Sequence, residues 1–597
     1  MQKIGAAFPD FISSEKIRPK QKDYDSRISP MRDLFLPVAL IVVVIFLFLR
    51  LFYLQILQGP RFRYLSNNNR IRTIIVHAPR GVIFDRNGIP LVFNIPGFRE
   101  TINGKTVQVE GKEALSLIAK GKKDLEVDSL REYPYKDTLA HVLGYLGQIS
   151  KDELSTAQYS SYNAGELIGK SGIEQEYESK LKGIDGKQLV EIDARGNPVR
   201  KLGESDPVPG QDITLTIDTT LQKAVFEATK NVKKGAVIVS SPKGEILAMV
   251  SRPSFDTNFF TMGPNYLAAS DSSYLSLSDI LLDSQNQPLL DRSISGTYPP
   301  GSTFKLVVAS AGLENKIIDE NYQIEDTGVL QIGAFSFSNW YYTGYGGKDG
   351  EVNVVKGIKR SNDIFFYKLA EKIGVDKVSE TAQKFGLGKP LGIDLQGEAA
   401  GLVPTPEWKQ KTIGEPWYLG DTYHYGIGQG FLLTTPLQVN GWTQAIANGG
   451  TLYQPYLFKD SKPQILSSNL LNQHSSDLIR EGMVEACSPG GVAWPLFNFK
   501  VPAKGWSASG GKNSIDGKNF ILEEASGSAK MVKIVIACKT GTAEHGGADS
   551  KPHAWITLFA PAYNPEIVIT VLAEESGEGS NIAAPIAKKI LENWFGR

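Results

Sequence analysis

Ser302 and Lys305 lie three residues apart in YPPGSTFKLVVASAGLENK, directly after Pro299-Pro300-Gly301. An extended Pro-Pro-Gly segment running into an apolar stretch predicts a helix that opens at the serine, with the lysine one turn on along the same face. A hydroxyl placed there meets the positive end of the helix dipole. A lysine pushed toward its neutral form by burial and neighbouring cations can take the hydroxyl proton. The pair is then a nucleophile with its base, the equipment of acyl transfer. The spacing alone is degenerate, because Ser13/Lys16, Ser179/Lys182, Ser240/Lys243 and Ser509/Lys512 repeat it. Ser302 also reads as a plain helix N-cap.

Two further clusters add chemistry. Lys539, Thr540, Gly541 and Thr542 follow the β-branched run KIVIAC and precede AEHGG, which predicts a strand ending at the motif and opening into a loop. A glycine there keeps the strand edge bare, so that a peptide can pair with the backbone while Lys539 and the threonine hydroxyls hold a carboxylate. Ser361-Asn362-Asp363 stands before the apolar stretch IFFYKLAEKIG. Ser361 is read either as the N-cap of that helix or as a second hydroxyl in a proton relay.

These residues need a scaffold. Residues 553–561 (HAWITLFAP) and 566–575 (EIVITVLAEE) read as paired strands, and AVIVSSPKGEILAMVS as two strands around a Pro-Lys-Gly turn. With helical and loop-rich sequence between them and an amphipathic closing helix over 583–595, the pattern predicts an antiparallel sheet built from distant parts of the chain, with helices packed on it. A boundary is expected at Asp206-Pro207-Val208-Pro209-Gly210, followed by the alternating strand DITLTID. Before that boundary, residues 58–210 mix strand signals and turns, Arg86-Asn87-Gly88 reading as a hairpin turn. Residues 503–530, rich in Gly, Ser and Lys, read as a surface loop.

Residues 34–57 are long and apolar enough to cross a ~30 Å hydrocarbon core, Arg50 snorkelling to an interface. No small-residue cleavage site follows, so the segment reads as an anchor, preceded by a polar tail over 1–33. Arginines and lysines flank it on both sides and leave its orientation open. The whole chain has 597 residues, 41% hydrophobic and 21% charged, with 64 basic against 64 acidic side chains. That is a multidomain globular composition without the basic excess of a nucleic-acid reader. Two cysteines, Cys487 and Cys538, exclude a disulfide-rich scaffold. One bridge between them and two small buried thiols are both open readings.

In the order SxxK, Sx[N/D], KTG the three clusters resemble the signature of the penicillin-interacting serine acyltransferases. APRGVIFDRNG, HVLGYLG, GKSGIEQEYESKLKGIDG, LVPTPEWK, GDTYHYGIGQG and TPLQ extend the likeness to class B penicillin-binding proteins of the elongation type, from the anchor to Phe595. The resemblance implies an α+β protein: a cytoplasmic tail (1–33), one transmembrane helix (34–57), a β-rich pedestal (58–210) and a transpeptidase domain (211–597). That last domain would hold an antiparallel sheet with helices on both faces and a helical subdomain. It implies a peptidoglycan D,D-transpeptidase in the inner membrane with its catalytic domain outside. Ser302 would form the acyl-enzyme on a D-Ala-D-Ala stem peptide, Lys305 would be the base, and Ser361 would pass the proton to the leaving amine. The backbone N–H groups of Ser302 and Thr542 would form an oxyanion hole, and Asp363, Lys539, Thr540, Gly541 and Thr542 would hold substrate. β-Lactams would acylate Ser302, and a polytopic glycosyltransferase of the shape, elongation and division family would be the partner.

The resemblance implies no cofactor. Some elongation-type relatives carry zinc between the first two motifs; residues 303–360 here contain neither His nor Cys, and no zinc is expected. The middle motif ends in Asp363 where most of the wider family has Asn. Two alternatives share the motifs: a division-type transpeptidase, and a β-lactam sensor or scaffold without wall-building activity.

Overall fold

The computed structural model describes residues 30–596 except 103–104, 123–124, 194–197, 271, 505, 507–514, 525–529 and 548–549. The expected tail therefore lies outside the described residues but for its last four, which are helical. Two compact units emerge, one of residues 1–74 with 188–204, the other of 75–187 with 205–597.

In the first unit a helix over Pro30–Phe52 runs through a π-helical turn, Tyr53–Leu57, and the span Leu34–Leu57 is long and apolar enough to cross a membrane. None of its central window is covered by protein, as a lipid-facing helix requires and a core helix does not. GPRFRYLSNNNR, read among strands and turns, is a helix over Gly59–Arg70 instead.

The second unit begins with a sheet in which Ile83–Phe84 pairs with the long strand Pro90–Ile102. The turn between them follows the hairpin reading. Asp85 accepts hydrogen bonds from the N–H groups of Asn87 and Ile89, both at 2.8 Å, and Gly88 takes the positive φ of +81° that a side chain resists. APRG and GIEQEYE then meet: Arg80 donates to Glu174 and Glu178, and buried Arg131 donates to Glu174 at 2.7 Å. DITLTID departs from expectation. Only Ile213–Thr214 is a strand, and it pairs in parallel with Ile83–Phe84, so this segment joins the preceding sheet.

The central sheet has five strands: β1 (Gly235–Ser240), β2 (Ile246–Arg252), β3 (Ala537–Ala543), β4 (His553–Ala560) and β5 (Ile567–Ala573), in the order β2-β1-β5-β4-β3 with antiparallel pairs throughout. Every residue of these strands but Arg252 and Thr542 is buried, because helices cover both faces. Successive side chains of a strand point oppositely. Val237, Ile556, Leu558, Ile569 and Val571 accordingly share one apolar cluster with Leu221 and Ile590 of the helices Thr219–Ala228 and Ala583–Phe595. Ile238, Trp555, Phe559 and Leu572 face Trp442 of the helix Pro436–Ala447. On that second face Thr443, Thr557 and Thr570 form a buried hydroxyl ladder with links of 2.7 and 2.9 Å, which satisfies each group and fixes the helix register on the sheet.

KIVIAC is not one strand. Lys530–Ile534 belongs to a separate three-stranded sheet with Lys500–Pro502 and Phe520–Glu524, and the chain breaks at Val535–Ile536 before β3 starts. Part of the expected 503–530 loop is thus strand, with Trp506 against Phe520 at 4.7 Å; residues 505, 507–514 and 525–529 lie outside the described residues. Between the helices that follow Ser302, two short strand pairs form, Ile324–Asp326 with Gly350–Val352 and Val329–Ile332 with Phe335–Ser338.

Candidate active site

Ser302 stands on a 3-10 turn, Gly301–Thr303, just ahead of the helix Lys305–Glu314. Backbone geometry fixes this turn. Gly301 has φ +55°, its N–H donates to the Gly428 carbonyl at 2.9 Å, and a Cβ on it would come within 2.8 Å of the Thr542 carbonyl oxygen. The serine turn is therefore pressed between the Gly428 loop and β3. Trp555 Nε1 donates to Pro299 at 3.1 Å and holds the approach to the turn. Ser302 keeps partial access to solvent while Lys305 is fully buried.

The KTGT motif occupies the last part of strand β3, which ends one residue beyond it at Ala543, and β3 is the sheet's edge. Lys539 is fully buried, Thr540 is nearly so, and Thr542 is exposed. Gly541 serves packing as well as an open edge: a Cβ there would lie 3.0 Å from Thr303 Cγ2 and 3.1 Å from the Pro300 carbonyl. A larger residue would push the serine turn off the strand.

Ser361 is not the N-cap. It ends the helix Val354–Arg360 in the left-handed conformation at φ +53°, and Asn362 caps the next helix, Asp363–Ile373, by accepting from Phe365 N–H at 2.9 Å. A non-glycine residue at positive φ costs on the order of 1 kcal/mol and persists where surrounding contacts hold it. What it releases here is the hydroxyl. Ser361 Oγ accepts from Lys539 Nζ at 2.8 Å and lies 3.4 Å from Lys305 Nζ, so one hydroxyl bridges both lysines. Lys305 Nζ also donates to the Ser361 carbonyl at 2.8 Å and to Asp363 Oδ1 at 2.6 Å. Lys539 completes its shell on the Thr540 carbonyl at 2.9 Å.

Electrostatics separate the two amines. Burial pushes Lys305 below the ordinary lysine range and the Asp363 carboxylate opposes that push. Burial and then the charge of Lys305 drive Lys539 well below its ordinary value, with Asp363 opposing. The stronger depression falls on Lys539. Two ammonium groups sharing one buried hydroxyl titrate as a unit, and the unit resists carrying both protons.

A buried polar lattice positions the middle motif, and nothing in the motif's own spacing announces it. Asp363 Oδ2 accepts from Trp340 N–H at 2.9 Å, and its own N–H donates to Asn339 Oδ1 at 3.2 Å. Asp326 Oδ2 accepts from Asn339, Asn362 and the Asp349 backbone at 2.8 to 2.9 Å. The Gly428 turn was another functional element missed as such; the crowded glycines of GDTYHYGIGQG are the signal that could have shown it, since Gly428 and Gly430 both have positive φ. Cys487 and Cys538 are joined in a disulfide, with Cα atoms 5.9 Å apart, which pins the strand carrying Lys539 to the end of the helix Gln473–Ala486.

A part-exposed serine hydroxyl on a held turn, two amines of depressed basicity around a second hydroxyl, and an open strand edge are the groups that serine acyl transfer needs. Comparison with known proteins agrees: the penicillin-binding protein transpeptidase domain matches residues 235–592 and the penicillin-binding protein dimerisation domain matches 120–215. The chain belongs to the penicillin-binding protein transpeptidase family. It is 32% identical to the peptidoglycan D,D-transpeptidase MrdA of Haemophilus influenzae over 94% of this chain and 90% of that protein. Among solved structures, the penicillin-binding protein 2 of Helicobacter pylori in complex with MreC superposes with a TM-score of 0.70 at 28% identity, covering 88% of this chain and 98% of that one. A structure described as a peptidoglycan synthase complex for polymerization and crosslinking gives 0.67 at 26% identity, covering 95% and 98%.

Proposed function

We infer that the protein is an elongation-type peptidoglycan D,D-transpeptidase. The observation that carries this reading is Ser361 Oγ held between Lys305 Nζ and Lys539 Nζ, with Lys305 one turn along the chain from Ser302 and Lys539 on an open edge strand. A stem peptide pairs with β3 as an added strand, its terminal carboxylate held by Thr540 and Thr542 near Lys539. Ser302 Oγ attacks the carbonyl of the penultimate D-alanine as its proton passes to Lys305 Nζ. Lys305 accepts it in the neutral form that burial favours. The N–H groups of Ser302 and Thr542 stabilise the oxyanion; the close approach of Gly301 to the Thr542 carbonyl supports their convergence. The C–N bond to the terminal D-alanine breaks, and Ser361 returns a proton to the leaving nitrogen. An amine of a second stem peptide then displaces the serine ester. Asp363, bonded to Lys305 and to Trp340 N–H, orients the base rather than the substrate.

The domain division 1–33, 34–57, 58–210 and 211–597 follows the same reading, as do β-lactam acylation of Ser302 and an anchor in the inner membrane with the catalytic domain outside. The complex of a relative with MreC and the relative in a peptidoglycan synthase complex support a partner from the wall-building machinery; on this reading that partner is a polytopic glycosyltransferase contacting the anchor and the first external domain. The test is release of free D-alanine from a D-Ala-D-Ala stem peptide with formation of a cross-linked dimer. Release without dimer, in the presence of acceptor, would mark a hydrolase; neither, in a protein that still takes penicillin, would mark a sensor or scaffold.

A further inference from the structure

The helix Trp340–Tyr345 reads WYYTGY, none of its residues is buried, and its rings are gathered on one another. Trp340 lies 5.7 Å from Tyr341 and 6.1 Å from Tyr345, and Tyr341 lies 6.0 Å from Tyr345. Tyr345 is 76% exposed. Leaving this much ring surface in water costs free energy even when the rings gather on one another, and two of the three rings are held from behind. The Trp340 indole N–H donates to the Arg360 carbonyl at 2.9 Å. The Arg360 guanidinium lies 4.7 Å from the Tyr341 ring centre and is itself held by Asp349 at 2.9 Å. Trp340 and Tyr341 are therefore positioned before anything binds, which lowers the entropic cost of binding.

Its position ties it to the chemistry. Trp340 N–H donates to Asp363, whose other oxygen pairs with Lys305. The rings thus begin two hydrogen bonds from the base of the acyl-transfer site. A stem peptide of about five residues reaches at most roughly 17 Å when extended, so the sugar it hangs from must come to rest within that radius of Ser302.

The chemistry of the surface selects a sugar over an apolar protein face. The segment supplies ring faces, three tyrosines, a threonine and a glycine, and no aliphatic side chain. Ring faces carry negative quadrupole density that attracts the polarised C–H bonds of a pyranose, while the tyrosine hydroxyls and the threonine can bond its hydroxyl and acetamido groups. We propose that Trp340, Tyr341 and Tyr345 form a saccharide subsite that binds the glycan of the donor strand and sets its stem peptide in register with Ser302. The proposal rests on the transpeptidase reading above.

The test compares two donors of identical peptide sequence, one free and one carried on an N-acetylated disaccharide, with penicillin as a third, sugar-free acylating agent. Full-length Tyr345→Ala should raise KM for the glycosylated donor by about 3- to 10-fold, the range of one aromatic contact, with kcat held. KM for the free peptide and the penicillin acylation rate should stay at wild-type values, and Tyr345→Phe should restore the glycosylated donor. Equal KM for the glycosylated donor in wild type and Tyr345→Ala, or an equal loss on both donors, would overturn the saccharide subsite. A wild type that takes penicillin but neither donor would overturn the transpeptidase reading, and the subsite with it.

Discussion

Asp363→Asn keeps the shape of a side chain that reaches Lys305 Nζ at 2.6 Å and removes its charge. At an effective dielectric constant of ~20, two unit charges that close attract by about 6 kcal/mol. Lys305, fully buried, need not lose all of that, because it can shed its proton. Shedding costs about 1.4 kcal/mol per pH unit below the ordinary lysine value, hence at most about 5 kcal/mol at pH 7. The neutral amine retains the Ser361 carbonyl as a partner, so we expect a net loss of about 2–4 kcal/mol at pH 7. The sign with pH follows from linkage. Burial already lowers Lys305, and losing Asp363 lowers it further. The deficit is therefore full below the variant's own titration and fades as pH rises past that of the wild type. Urea-unfolding midpoints of the detergent-solubilised protein at pH 7 and pH 10 should show a clear gap and then a much smaller one. The alkaline-rising limb of penicillin acylation should also move to lower pH in the variant, because its base is neutral sooner. An identical stability gap at both pH values, together with an unmoved acylation limb, would refute the role given to this carboxylate.

Three further outcomes are expected. Gly301→Ala places a Cβ at positive φ and 2.8 Å from the Thr542 carbonyl, and should slow penicillin acylation at least about tenfold while destabilising the fold by about 1–2 kcal/mol; an unchanged rate would show that the serine turn is not held there. The Cys487–Cys538 bridge closes 51 residues, so its reduction should lower stability by about 2–4 kcal/mol; two alkylatable thiols in the unreduced protein would show that the bridge does not form. His553 accepts a hydrogen bond from Glu575 N–H, and burial with His545 lowers its pKa to about 4. Stability should thus fall as pH drops from about 6.5 toward 4, by on the order of 2–3 kcal/mol, and His553→Asn should flatten that fall in a urea-unfolding series; an equally steep loss in the variant would contradict it.

The chemistry-bearing residues were legible because each motif is local. Ser302 and Lys305 share a helical turn, and Lys539 to Thr542 share a strand, so spacing of one to three residues records them. The sheet was legible for the same reason: β1 with β2 and β4 with β5 are short apolar, β-branched runs that pair with their sequence neighbours. What spacing could not report is contact across the chain. The link from Lys539 to Ser361 spans 178 residues, and the one from Lys305 to Asp363 spans 58. Neither Asp363 as the anchor of the base nor the lattice of Asp326, Asn339 and Asp349 has a periodic signature. Of the two readings of Ser361 the cap fails, because propensity ranks Ser and Asn almost alike there and the backbone conformation decides for Asn362. KIVIAC was misread as one strand because β-branched composition marks extended chain without telling which sheet receives it.

The central claim is that Ser302 is the nucleophile at which the lysine pair acts. The most direct measurement is mass-spectrometric mapping of the penicillin adduct on the full chain, in wild type, Ser302→Ala and Lys539→Ala. The account predicts one adduct, on the peptide containing Ser302, absent from Ser302→Ala and formed at least about tenfold more slowly in Lys539→Ala. An adduct on another residue, or full labelling of a folded Ser302→Ala, would contradict it.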